Sequence, residues 1–136
     1  MSADRARLPD WRPRLLAHFA AGRRLDFELG IHDCARFAAG AVLAVTGVDP
    51  LAGVVWRTEA GARRALGRLG VADPVDFARR EFPEIAVSAA RAGDLAAVSV
   101  EEGPALAVVY DARLFLPAAR GLGHLPLTDA TSAFRV

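Results

Sequence analysis

The feature that most constrains the fold is a change of period at Pro83. Ahead of it, apolar residues recur at helical spacing in four stretches. Beyond it they fall into short β-like runs separated by turn residues. Helices first and strands after is the order of an α+β domain, with helices gathered against a small antiparallel sheet.

The helical half carries its own punctuation. Pro9 and Asp10 open a first helix over residues 11–21, with Trp11, Leu15 and Phe19 on one face, His18 on its flank and Gly22 expected as the stop. Residues 25–30 read as a loop or short extended segment. A second helix runs from Cys34 to about Thr46, capped by Asp33 and ended by Gly47. Residues 48–53 are turn chemistry. Thr58 caps a third helix with Ala62, Ala65, Leu66 and Leu69 as its apolar stripe and Arg63, Arg64 and Arg68 solvated. Asp73 and Pro74 start a short fourth helix that ends near Pro83.

In the second half, residues 85–87 read as a short strand and 92–94 as a turn. Residues 95–100 and 105–110 form two strands joined by Glu101-Glu102-Gly103-Pro104. Asp111-Ala112-Arg113 turns the chain into residues 114–116. Residues 117–123 are a loop, and 124–127 and 133–136 are each expected as an edge strand. No repeat or second-domain boundary is found, so residues 1–136 read as one domain.

Composition narrows the function classes. The 17 basic residues, all arginine, nearly balance the 16 acidic ones for a net charge of +1. That argues against electrostatically driven binding to nucleic acid or an anionic membrane. The all-arginine usage reads as the trace of a GC-rich genome. The 53% hydrophobic fraction is rich in alanine and predicts a tight core of small residues. No run approaches the ~20 apolar residues of a membrane span. Met1-Ser2-Ala3-Asp4-Arg5 has no apolar region of the kind a signal peptide needs, so cytoplasmic synthesis is expected. One cysteine excludes an internal disulfide or a multi-cysteine metal site, and the three histidines show no ligand spacing, so neither metal nor cofactor is expected.

The cysteine is the candidate site. Cys34 falls in the first turn of the second helix, on the face that meets the core. Unpaired N–H groups and the helix dipole favour negative charge there, which gives the thiol a reason to titrate low and act as a nucleophile. The neighbouring Asp33 carboxylate acts in the opposite direction. A buried cysteine that packs as a small hydrophobe is the alternative reading.

Two sets of motifs carry a resemblance. Asp33-Cys34-Ala35-Arg36-Phe37 and Arg91-Ala92-Gly93-Asp94-Leu95 resemble the nucleophile and Gly-Asp segments of the NlpC/P60 branch of papain-like cysteine peptidases. More closely, the chain resembles a family of small phage and prophage proteins of unknown function, found mostly in alphaproteobacteria and often encoded near tail-tip genes. Gly30-Ile31-His32-Asp33-Cys34 and Thr46-Gly47-Val48-Asp49-Pro50 carry most of that likeness, with Thr58-Glu59-Ala60-Gly61-Ala62, Gly103-Pro104-Ala105 and Val136 supporting it. The likeness covers nearly all of the chain.

The resemblance implies a papain-like fold, with the cysteine-bearing helix on a sheet, and a histidine opening the strand after the Gly-Asp motif. The residue at that position is Ala105, which moves no proton. His32, two residues before the thiol, and His124, near a late strand, are the remaining candidate bases beside the nucleophile Cys34. Two functions are therefore expected in competition. One is a degenerate domain that binds tail-tip proteins or helps assemble them, and is carried in the virion tail. The other is a working cysteine hydrolase that cuts peptidoglycan stem peptides during DNA entry. A third reading is a bacterial protein unrelated to phage that shares the fold.

Overall fold

A computed structural model describes residues 6–136; the expectation about Met1–Arg5 lies outside the described residues. The described residues form an α+β arrangement of four α-helices and a six-stranded antiparallel sheet. The helices are α1 (Trp11–Gly22), α2 (Cys34–Thr46), α3 (Glu59–Arg68) and α4 (Pro74–Glu81). The strands are β1 (Glu84–Ile85), β2 (Leu95–Val100), β3 (Gly103–Tyr110), β4 (Arg113–Pro117), β5 (Leu122–Pro126) and β6 (Ser132–Phe134), in the spatial order β1-β6-β2-β3-β4-β5. No helix among the described residues is long and apolar enough to cross a membrane.

Local chemistry sets the helix ends. Asp33, Thr58 and Asp73 each sit in extended backbone and accept from the amide three residues on: Arg36, Gly61 and Asp76 respectively. Gly47 ends α2 at φ 82°, a conformation glycine adopts without a Cβ penalty. Gly22 is different. It lies inside α1, which runs on to an αR cap at Arg23. A Cβ on Gly22 would come 3.0 Å from the Phe37 ring, so this glycine admits α2 rather than stopping α1.

α2 is apolar on nearly every side because it is surrounded. Phe37, Ala38, Ala41, Val42 and Val45 meet α1 and the sheet through Leu15, Phe19, Leu106, Val108 and Phe134. Ala35 and Ala39 face the opposite way, onto Leu51, Trp56, Leu66 and Phe77. Alanine at these positions lets both neighbours approach closely, which is the small-residue core expected from composition. The other sheet face buries Ala96, Val98, Ala105, Ala107, Val109 and Leu114, with Cys34 packed at its margin.

β2 and β3 pair along their full hairpin, from Leu95↔Val108 to Val100↔Gly103. β3 and β4 are joined through Asp111 (φ 54°) and Ala112 (φ 58°), the left-handed pair that a two-residue hairpin requires. The C-terminal strand departs from expectation. β6 lies between β1 and β2 rather than at an edge, pairing Phe134 with both Glu84 and Leu95. Val87 belongs to a 3-10 turn (Val87–Ala89) instead of a strand, and a second such turn covers Leu127–Asp129.

The polar anchor of this half is Asp94, which is 1% exposed. Its carboxylate accepts from Arg7 Nη2 at 3.0 Å, from the Val136 amide at 2.9 Å and from the Arg91 amide at 2.9 Å. Arg7 also donates to the carbonyls of Val136 and Ala92. One buried ion pair thus ties the start of the described chain, the Gly-Asp turn and the final residue together. Burial, followed by the charge of Arg91, pulls Arg7 below its ordinary value against the opposing pull of Asp94, yet a guanidinium stays charged.

Candidate functional site

The segment before α2 is held residue by residue. Gly30 has φ 83°, and a Cβ there would lie 1.9 Å from the Trp56 carbonyl oxygen, so only glycine fits. Asp33 is 6% exposed and caps more than its helix. It accepts from the Arg36 amide at 2.8 Å, the Gly30 amide at 2.8 Å and the Trp56 indole Nε1 at 2.9 Å. Arg36 lies over the Trp56 ring, 4.3 Å from its centroid, and donates to the Val54 carbonyl. The loop ahead of α3 is thereby fastened to the first turn of α2.

Cys34 opens onto a cavity of about 690 Å³. Its walls come from the first turn of α2, Phe27 and Leu29, Trp56, α3, the β2–β3 turn and residues 116–119 at and just beyond the end of β4. The cavity exists because the sheet splits. β4 pairs with β3 only from Val108↔Phe115 to Tyr110↔Arg113, while it stays with β5 through Pro117↔Leu122. Continuing the β3–β4 register would place Pro117, which has no N–H, opposite Leu106. Val109 bonds across to Asp94 on the β2 side, so by strand alternation the Leu106 backbone turns to the β4 side. Its N–H there meets the Cys34 sulfur instead of a strand.

The thiol does not titrate low. Burial is the largest influence and pushes Cys34 above its ordinary value, and the Asp33 charge adds to that. The N–H groups of Leu106, Ala35 and Cys34 itself pull the other way and are outweighed. The expectation from the helix dipole is corrected on this point: a dipole lowers a thiol pKa when the sulfur stays hydrated, and this sulfur is largely desolvated.

Ala105, at the position where the resemblance implies a histidine, lines the cavity together with Cys34. Among the described residues no histidine lines it. His32 is 2% exposed and donates from Nε2 to the Gly121 carbonyl at 3.1 Å, its ring edge-on to Phe37. It holds the 117–121 loop rather than facing the cavity. His124 is exposed on β5, with its ring 5.7 Å from that of Phe115. His18 stacks on Phe37 at 4.6 Å and donates to the Phe37 carbonyl at 2.9 Å. Burial, chiefly, lowers its pKa, opposed by that carbonyl bond and assisted by His32. The structure brings together Cys34, Asp33 and Ala105, and leaves both candidate bases outside the cavity.

Sequence reading passed over Trp56, Phe27 and the Leu106 amide as parts of this site. Trp56, one of two tryptophans, stands in a turn ahead of a helix, where a large indole needs a polar partner for its N–H. That was the available signal. Among the described residues no group of three or more His, Cys, Asp or Glu is placed to hold a metal ion.

No curated protein matches this chain. A family model matches residues 6–136, nearly the whole length and the whole of the site, and the chain therefore belongs to the family described as a domain of unknown function, DUF6950.

Proposed function

We infer that this chain is a catalytically degenerate, NlpC/P60-like domain of a phage- or prophage-derived tail, in which the Cys34 cavity binds a partner without cleaving it. The observation that carries this is Ala105 beside a desolvated thiol in a cavity with no imidazole among its described lining residues. A cysteine hydrolase needs a base within hydrogen-bond reach of the sulfur and a third group to orient it. Here Asp33, the nearest carboxylate in sequence, is occupied by two amides and an indole. The helix headed by a cysteine and laid on an antiparallel sheet supports the papain-like reading. The tail setting rests on the sequence resemblance.

One observation favours the competing hydrolase reading: Cys34 lines a cavity with room for a substrate. A single pair of measurements separates the two. The rate of iodoacetamide alkylation of Cys34 is followed from pH 6 to 10, and purified peptidoglycan sacculi are incubated with wild type and Cys34→Ser. The degenerate reading expects alkylation still climbing beyond the ordinary ~8.5 of a thiol and no muropeptide release. A rate plateau near neutral pH, with release that depends on Cys34, refutes it. Mass spectrometry of purified particles tests the tail setting, and absence of the chain from all particle fractions refutes that part.

A further inference from the structure

We propose that the Cys34 cavity receives an extended protein segment in which an apolar side chain is followed by a lysine or arginine. This rests on the binding reading above and names its ligand. Three features of the cavity lead to it.

The first is space. Ala35, Ala62, Gly103, Ala105 and Ala118 present at most a methyl group to a cavity of about 690 Å³, which is within the range that encloses an organic ligand. The room a histidine would fill at position 105 is left for a guest. Trp56 and the half-exposed Phe27 bound it with aromatic surface, so the group that enters is apolar.

The second is charge. The charged residues among the described lining of the cavity are Asp33, Glu59 and Glu102, with no arginine among them, in a chain with 17 basic residues against 16 acidic. An all-acidic lining is therefore a local arrangement and not a reflection of composition. Asp33 is committed to its three donors, while Glu59 and Glu102 are exposed at the start of α3 and in the β2–β3 turn. Among the described residues the cation paired with either is Arg63, 3.9 Å from Glu59 and itself 71% exposed, a contact of little energy that leaves the carboxylate open to a guest.

The third is the split between β3 and β4. The carbonyl of Pro104, a lining residue of the cavity, turns to the side that β4 has left, by the same alternation that directs the Leu106 N–H to the sulfur. Proline contributes no donor, and the Leu106 donor is engaged. What the gap offers a guest is acceptors: the Pro104 carbonyl and two carboxylates. An extended backbone with N–H groups, followed by an ammonium or guanidinium, supplies the matching donors.

A random octapeptide library is panned on immobilised wild-type protein, and a selected peptide is then titrated against variants. The expected winners place an aliphatic or aromatic residue directly ahead of lysine or arginine and are depleted in acidic residues. Binding weakens about tenfold in the double variant Glu59→Gln/Glu102→Gln at low salt, with the difference shrinking at high salt, as a screened charge contact must. Ala105→Trp, which fills the cavity, abolishes it. Because Glu59 and Glu102 are exposed, their variants fold even if Ala105→Trp does not. No selection, selection of acidic peptides, or binding indifferent to the glutamine pair overturns the proposal. Failure here without sacculus cleavage sinks this ligand alone; Cys34-dependent cleavage sinks the degenerate reading beneath it.

Discussion

Replacing Asp94 with alanine removes the carboxylate that pairs with Arg7 in a nearly dry setting. The two side chains are 9% and 1% exposed, and they meet at 3.0 Å. After the change, the guanidinium keeps its bonds to the Val136 and Ala92 backbone oxygens but loses the Asp94 carboxylate, and the Arg91 and Val136 amides lose their acceptor. Breaking a buried pair from one side costs about 3–5 kcal/mol. Two orphaned amides would add about 1–3 kcal/mol each if nothing moved. The orphaned amides can relax toward water, so the terms overlap and the expected loss is about 4 kcal/mol. For a chain of this size that lowers Tm by roughly 15 °C. Urea unfolding followed by circular dichroism at pH 7 reads the free energy, and calorimetry the Tm. Arg7→Met should cost less, because the carboxylate keeps both amide donors. The double variant Arg7→Met/Asp94→Leu should recover part of the Asp94→Ala loss, since it leaves no lone buried charge. A loss below about 1 kcal/mol for Asp94→Ala would show that the pair is hydrated and that the tie of Arg7 and Val136 to Asp94 is not what holds β2 in place.

Other outcomes follow from the same physics. His18 has its folded pKa lowered, mainly by burial, below the unfolded value of about 6.5, so the unfolded chain takes up the proton first. Stability is then full above that value and falls as pH drops through 6.5 toward the folded pKa; His18→Gln should flatten the urea-derived slope between pH 7.5 and 5.5, and an unchanged slope would assign it to other groups. Asp33→Asn removes a charge that raises the Cys34 thiol, so alkylation should move to lower pH, though burial keeps it above the ordinary thiol range; a shift upward contradicts the electrostatic assignment. Ala112 holds φ 58° in the β3–β4 turn, a strained value for a residue with a Cβ. Ala112→Gly should therefore stabilise by about 0.5–1 kcal/mol in urea unfolding despite the greater freedom of the unfolded chain, and a net loss would show that the turn relaxes at no cost.

Much of the fold was legible because its signals are short-range. The caps at Asp33, Thr58 and Asp73 bond to amides three residues away, so residue type and local spacing suffice to place them. The bounds of β2 and the stop at Gly47 are of the same kind. Gly22 misled for the same reason in reverse: a glycine beside a helix end has a local meaning, and the Phe37 ring that explains it comes from another helix. The position of β6 inside the sheet was also hidden, since a strand of three residues does not announce which neighbours it will find. The resemblance motifs were visible as residues but not as contacts. Gly93-Asp94 proves to be a latch with Arg7, and Thr46-Gly47-Val48-Asp49-Pro50 a turn in which Thr46 and Asp49 bond to nearby backbone.

For the site, the sequence alone determined which groups exist and on which element they stand: a lone thiol at a helix start, a capping carboxylate before it, and alanine at position 105 on the second strand after the Gly-Asp turn. These follow from residue identity and period, which need no knowledge of the distant chain. Only the tertiary structure decided what surrounds them. Whether the sulfur is hydrated, whether His32 faces it or a loop carbonyl, and whether the sheet closes or splits at Leu106 all depend on residues far apart in the chain. The dipole that favours a thiolate is a local property of one helix, while desolvation is a property of everything packed against it, and here desolvation is the larger of the two.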